Sequence, residues 1–145
     1  VCVNAKTGRP CPDFGEGGRV DLMRDIPRAT RGERDWLNAL LYSVQSPPIV
    51  VGDTVVTPMS ISSLNDTKER PPGWMRGFDA KTGETTWTFH TIPQGDEFGN
   101  DTWEADSWRH TGKVGVWTMM SADDDLGLVY AGHWNSGRWA DLRRA

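Results

Sequence analysis

Cysteine is scarce in this 145-residue chain, which holds only Cys2 and Cys11. Two thiols cannot form a disulfide scaffold, and no second pair or neighbouring histidines accompany them as a zinc site requires. They can bridge only if Asn4-Ala5-Lys6-Thr7-Gly8 folds back as a tight turn, which its composition favours. A bridge and a pair of free half-buried thiols both fit the sequence. Long apolar runs are missing too, since stretches such as Ile49-Val50-Val51 are far too short to cross a bilayer. No charged-then-apolar leader opens the chain, so any export signal is expected outside it. There is no block of Lys and Arg. The balance of 16 basic and 20 acidic side chains gives a net charge of −4 and a pI near 5.3, which argues against a nucleic-acid or anionic-membrane surface. Hydrophobic residues make up only 37%. A transmembrane segment, a coiled coil and a basic nucleic-acid binder are thereby disfavoured.

What the chain has instead is glycine (16), proline (9) and tryptophan (8), a balance that favours turns and strands over long helices. It also repeats itself. Val3-Asn4-Ala5-Lys6-Thr7-Gly8 recurs as Phe78-Asp79-Ala80-Lys81-Thr82-Gly83, and the second copy runs on through Glu84-Thr85-Thr86-Trp87-Thr88-Phe89. This is the grammar of a β-turn: the Asx side chain bonds the backbone two residues on, and the glycine supplies a positive φ. The β-branched and aromatic stretch that follows reads as a strand, whose Trp87 can pack its ring over a neighbouring sheet. Such a unit cannot bury its own faces, so the repeat predicts stacked sheets or blades.

Other strands are expected at 48–51 and 54–60 around the Gly52-Asp53 turn, at 74–79 and 87–90, and at 114–121 and 126–131. The last two flank Ala122-Asp123-Asp124-Asp125, whose three carboxylates are expected in solvent. A helix over Asp35–Val44, with Trp36, Leu37, Leu40 and Leu41 on one face, competes with a short strand ending at Val44. Two long irregular stretches remain, 62–73 and 91–115. Phe98, Trp103 and Trp108 in the second favour an ordered loop over a site.

Taken in order, Ser46-Pro47-Pro48-Ile49-Val50-Val51, Arg76-Gly77-Phe78-Asp79-Ala80-Lys81-Thr82-Gly83 with Trp87, Val116-Trp117, and Ser121-Ala122-Asp123 to Leu128-Val129-Tyr130 resemble the pyrroloquinoline quinone (PQQ)-dependent alcohol and sugar dehydrogenases. The branch most resembled is the membrane-type glucose dehydrogenases, which the opening Asn4–Gly8, Cys11-Pro12-Asp13-Phe14-Gly15 and Gly18-Arg19-Val20-Asp21-Leu22 also resemble. The likeness covers residues 1 to about 130. It implies an all-β fold, an incomplete β-propeller of about two to three four-stranded blades out of an eight-bladed ring. Blade repeats are expected near 1–30 and 44–90, with a loop insertion at 91–115, the next blade at 114–131 and a divergent tail at 132–145. The Asn4 to Asp79 offset exceeds one blade, so an insertion is expected between the copies. Open sheet edges and an apolar blade face should follow.

The resemblance also implies site residues. Trp117 stands where the family stacks a Trp on the quinone, a contact that suits two flat aromatic systems; docking one blade on another is the competing role. Gln45 and Ser46 match a segment that hydrogen-bonds cofactor carboxylates, with Gln45 where Thr is common. Ser60 matches a hydroxyl beside the quinone. A polar strand start and a solvent-facing hydroxyl are the plainer alternatives for these positions. The family's metal, Ca²⁺ or Mg²⁺, needs oxygen ligands. Its acidic ligand falls near Ser63, so Asn65 and Asp66 are the nearby candidates, against a simple turn at the same residues. Asn135 matches a further ligand, although the tail from Gly132 to Ala145 departs from the Pro-Thr-Gly-rich stretch expected there.

No catalytic residue is assigned, because the general base implied by the resemblance, an Asp acting on the substrate hydroxyl, falls beyond residue 145. Asp96, Glu97, Asp101, Glu104 and Asp106 read as loop and turn residues, and His90, His110 and His133 lack metal-ligand spacing. Gly15-Glu16-Gly17-Gly18 does not follow a strand and open a helix as a dinucleotide fingerprint must. The expected whole is a periplasmic enzyme attached to the inner membrane by a segment outside this chain. It would oxidise a sugar or alcohol and pass electrons to membrane ubiquinone or another acceptor, with no nucleic-acid partner, and the isolated chain would be inactive. The alternatives are a non-catalytic β-propeller scaffold and, third, a small carbohydrate-binding β-domain using Trp103 and Trp108.

Overall fold

A computed structural model describes residues 1–27, 42–61, 71–112 and 114–135. Strands dominate, all in antiparallel pairs. The centre is a four-stranded sheet in the order β2–β3–β5–β6, made of β2 (Ile49–Val51), β3 (Thr54–Thr57), β5 (Met75–Asp79) and β6 (Thr85–Phe89). This is the sheet expected of one blade. Its first hairpin turns at Gly52-Asp53, with Val51 opposite Thr54 and Gly52 at φ 53°. The acidic turn closes over it, because Asp124 Oδ1 accepts the Gly52 N–H at 3.0 Å. The three acidic residues are therefore not all left to solvent: Asp123 is half-buried, and its Oδ1 accepts from Leu126 N–H at 2.9 Å.

The two copies of the repeat adopt the same turn. Asn4 Oδ1 accepts from the backbone of Lys6 and Thr7, each at 3.0 Å, and Asp79 Oδ1 accepts from Lys81 at 2.8 Å and Thr82 at 2.7 Å. Gly8 and Gly83 follow at φ 69° and 76°, each donating to the carbonyl of its own Asx residue. Beyond the second turn, Trp87 lies directly opposite Gly77. A Cβ on Gly77 would come within 2.4 Å of the indole, so the glycine is the seat of the ring.

The N-terminal segment docks on this sheet. Gly15 N–H donates to Thr82 O at 2.7 Å, and Phe14 and Val20 fill the space beside Gly83. The buried Arg76 guanidinium donates to the carbonyls of Leu22 and Arg24 and lies over the Phe78 ring. Ile26 and Met59 form one cluster of the core, with Leu22, Met23, Ile61 and Trp74 packed around them; Val56, Phe78, Ile92, Val114 and Val116 are buried as well.

Several expected strands are shorter than their sequence patterns. The run expected over 54–60 breaks at Pro58-Met59 into β3 and β4 (Ser60–Ile61), since Pro58 has no N–H to continue the ladder. The run expected over 114–121 ends as β7 (Val114–Val116), leaving Trp117 outside a strand, and resumes as β8 (Ser121–Asp123). The partner of β8 is β9 (Leu128–Tyr130), starting after a turn that occupies 124–127. A further strand, β10 (His133–Asn135), pairs with β7. Tyr42–Ser43 forms strand β1, so the short-strand reading holds at that end and the helix does not reach Val44. The remainder of the helix reading, and 62–70 of the first long loop, lie outside the described residues.

The described part of the second long stretch, 91–112, carries 3-10 turns at Asn100–Thr102 and Glu104–Arg109, and Val114 and Gly115 at its end belong to β7. Glu97 organises its start: one carboxylate oxygen contacts His90 Nδ1 at 2.6 Å and the other accepts Gln94 N–H at 2.8 Å. Those bonds hold the Glu97 carboxyl below its ordinary value, the Gln94 bond most of all. Phe98 is wholly exposed, and Arg109 stacks on Trp108 at 4.5 Å. No helix among the described residues is long and apolar enough to cross a membrane.

Candidate cofactor-binding site

The break in the first hairpin builds the site. Counting from the Gly52-Asp53 turn, the regular register would put Gln45 opposite Ser60. The observed partner of Ser60 is Ser43, with Tyr42 opposite Ile61. Residues 44–48 thus face only 57–59, and the surplus is a bulge at Val44-Gln45-Ser46-Pro47-Pro48. Two consecutive prolines cannot donate to the ladder, and Pro58 faces them without an N–H of its own. The hairpin opens where backbone donors are missing.

Three serines gather at this opening. Ser46 and Ser60 are buried, at 4% and 7% exposure. Ser43 shares a face with Ser60 as its direct cross-strand neighbour. Its Oγ is buried and has no hydrogen-bond partner among the described residues. A hydroxyl left so costs free energy unless something else satisfies it, by about 1–3 kcal/mol. The Trp74 indole N–H, beside the core, is buried in the same condition. Gln45 is exposed.

Strand β7 runs beside this opening. Val116 N–H donates to Met59 O at 3.1 Å, and a Cβ on Gly115 would lie 2.3 Å from that same oxygen. Only glycine lets the two backbones approach this closely. Trp117, half-exposed at 48%, is therefore one residue beyond a direct backbone bond to the residue preceding Ser60. Asn135 stands opposite Val114 on β10, the next strand over. Gly73 closes the far side, packed on Val114 O, and Thr91 Oγ1 donates to that carbonyl at 2.7 Å.

The structure thus gathers Gln45, Ser46, Ser60 and the Trp117 segment at one end of the sheet, with Asn135 on the adjoining strand. Asn65 and Asp66 lie outside the described residues. No group of three His, Cys, Asp or Glu side chains suited to a metal occurs among the described residues. Sequence reasoning missed Ser43, because the register that hides it is set by the bulge. The paired prolines facing Pro58 were the available signal.

A family model described as "Glucose/ethanol/alcohol dehydrogenase, beta-propeller domain", of the PQQ type, matches residues 1–138. The chain belongs to this family. Among its curated relatives, quinoprotein glucose dehydrogenase A of Acinetobacter calcoaceticus is 42% identical over 91 residues, which is 63% of this chain and 10% of that protein. The glycerol dehydrogenase large subunit of Gluconobacter thailandicus is 30% identical over 136 residues, 94% of this chain and 17% of that protein. Quinoprotein glucose dehydrogenase of Escherichia coli (strain K12) is 31% identical over 133 residues, 90% of this chain and 15% of that protein. The chain spans less than a fifth of the length of each of these relatives. The relatives are named dehydrogenases of sugars and alcohols, in agreement with the resemblance read from the motifs.

The residues at the broken hairpin fit the cofactor that the family implies. A flat, carboxylate-bearing quinone needs hydroxyl or amide donors at its rim and an aromatic face against its plane. Ser43, Ser46, Ser60 and Gln45 can supply the first and Trp117 the second. The orphaned Ser43 hydroxyl is the atom that most needs such a ligand.

Proposed function

We propose that this chain forms part of the PQQ-binding face of a periplasmic dehydrogenase that oxidises a CH–OH group of a sugar or alcohol. Supporting this reading is the broken hairpin, which collects buried serine hydroxyls beside the backbone that carries Trp117. When bound, PQQ supplies the two-electron acceptor for the substrate C–H hydride. The chain's own residues bind and orient. Ser43, Ser46 and Ser60 hold the cofactor rim, Gln45 donates from the exposed side, and the Trp117 indole limits tilt of the ring. Ca²⁺ or Mg²⁺ belongs to the same reading, held by oxygen donors from Asn65, Asp66 and Asn135. So do onward transfer of electrons to membrane ubiquinone or another acceptor, and attachment to the inner membrane outside this segment. The general base lies elsewhere in the whole enzyme, so the isolated chain binds without turnover.

Titration of the chain with PQQ in the presence of Ca²⁺, and separately Mg²⁺, tests this by quenching of tryptophan fluorescence. The expected result is saturable quenching that Trp117→Ala weakens about tenfold, the upper end of an aromatic stacking contact. Absence of metal-dependent quenching in the folded chain would favour a non-catalytic propeller scaffold.

A further inference from the structure

The N-terminal hairpin carries a feature that cofactor binding does not use. Val3 and Pro10 form an antiparallel bridge. The flanking bonds run from Asn4 N–H to Arg9 O at 2.8 Å and from Cys11 N–H to Cys2 O at 3.0 Å. Cys2 and Cys11 are therefore directly opposed, with side chains on the same face. Directly opposed residues of an antiparallel pair have their Cα atoms about 4.5–5.5 Å apart, inside the ~4.4–6.8 Å window of disulfides. Both thiols are free and half-buried. Two further features hold them in register: the Asn4 turn with Gly8 on one side, and Gly18 on the other, whose carbonyl accepts the Cys2 N–H at 2.7 Å. A Cβ on Gly18 would crowd Pro10 and the Cys2 carbonyl, so the lid over the hairpin is glycine.

We propose that Cys2 and Cys11 are a reversible dithiol–disulfide pair that staples the N-terminal segment in the conformation that docks on the sheet. The oxidant is a disulfide of the glutathione class. A Cys2 thiolate attacks one glutathione sulfur and releases one glutathione thiol. The Cys11 thiolate then attacks the Cys2 sulfur of the mixed disulfide and releases the second. Two protein thiols become one S–S bond, one glutathione disulfide becomes two thiols, and protons and electrons balance. Hydrogen bonding to the Cys2 sulfur holds the Cys11 thiol above its ordinary value, which marks the two sulfurs as neighbours. The staple bears on the blade through Phe14 against Gly83 and Gly15 N–H on Thr82 O. The same bond persists in an oxidising compartment and opens in a reducing one.

The chain is equilibrated with reduced and oxidised glutathione over a range of ratios, alkylated and weighed by mass spectrometry, both folded and in concentrated urea. The folded chain should close an intramolecular bridge with an equilibrium constant at least about tenfold above that of the urea-unfolded chain, a difference of about 30 mV. Equal constants would mean that short sequence separation alone does the work. Glutathione adducts or intermolecular dimers in place of the bridge would mean that the hairpin holds the sulfurs apart. Either result overturns the proposal.

Discussion

Asn4 and Asp79 build the same turn with different chemistry, and that difference is measurable. Both side-chain oxygens accept two backbone N–H groups, but only Asp79 titrates. The bonds from Thr82 and Lys81, in that order, hold its carboxyl below the ordinary value of 3.8. A carboxyl whose folded pKa is depressed contributes stability that is full above its unfolded pKa and lost as pH falls through the folded one. The second turn should therefore loosen below about pH 4, whereas the Asn4 turn has no carboxylate to protonate. Asp79→Asn keeps the acceptor and removes the proton. An acid titration followed by tryptophan fluorescence should show a flatter low-pH limb in that variant than in the parent. Identical limbs would mean that the Asp79 charge contributes nothing. The Asx-turn chemistry, the Gly52-Asp53 hairpin and the strand after Gly83 were all legible in the residues, because each is decided within six or seven consecutive positions.

At the scale of elements, the controlling contact is the approach of β7 to Met59. It joins segments more than fifty residues apart, and no local pattern records it. For that reason the sequence suggests one strand from Thr54 to Ser60 and another from Val114 to Ser121, where the structure has breaks. Gly115→Ala places a methyl 2.3 Å from the Met59 carbonyl oxygen, against backbone that cannot rotate away. Such overpacking costs about 1–3 kcal/mol. It should also part the Trp117 segment from Ser60, so urea denaturation and PQQ affinity should both fall in this variant. A loss of stability with unchanged PQQ affinity would show that the β7–β4 contact does not shape the site. Ser43 illustrates the same limit. A register counted outward from the turn selects Gln45 as the partner of Ser60, and only the bulge, a product of three prolines and tertiary packing, substitutes Ser43. Family motifs supplied Trp117 and Ser60, but the geometry that joins them is tertiary.

Seen whole, the described residues hold one complete four-stranded sheet and paired strands beside it, as expected for a section of a propeller. Its outer strand is bare: every residue of Thr85–Phe89 is exposed, including Trp87 at 37% and Phe89 at 55%. An edge strand of alternating threonines and aromatics is a template for pairing with another chain. The chain should self-associate with rising concentration in size-exclusion chromatography with light scattering, and Phe89→Lys should shift it toward monomer while its far-UV circular dichroism stays unchanged. Monomer at all concentrations would mean that the edge is covered in solution.

On the proposed reading, the broken hairpin and the β7 segment together form a cofactor face. Hydrogen–deuterium exchange of the chain with and without PQQ and Ca²⁺ tests it most directly. Added protection is expected over residues 43–46, 59–61 and 115–118, with the two Asx turns at 4–8 and 79–83 unchanged. Protection elsewhere, or none at saturating PQQ, would contradict it.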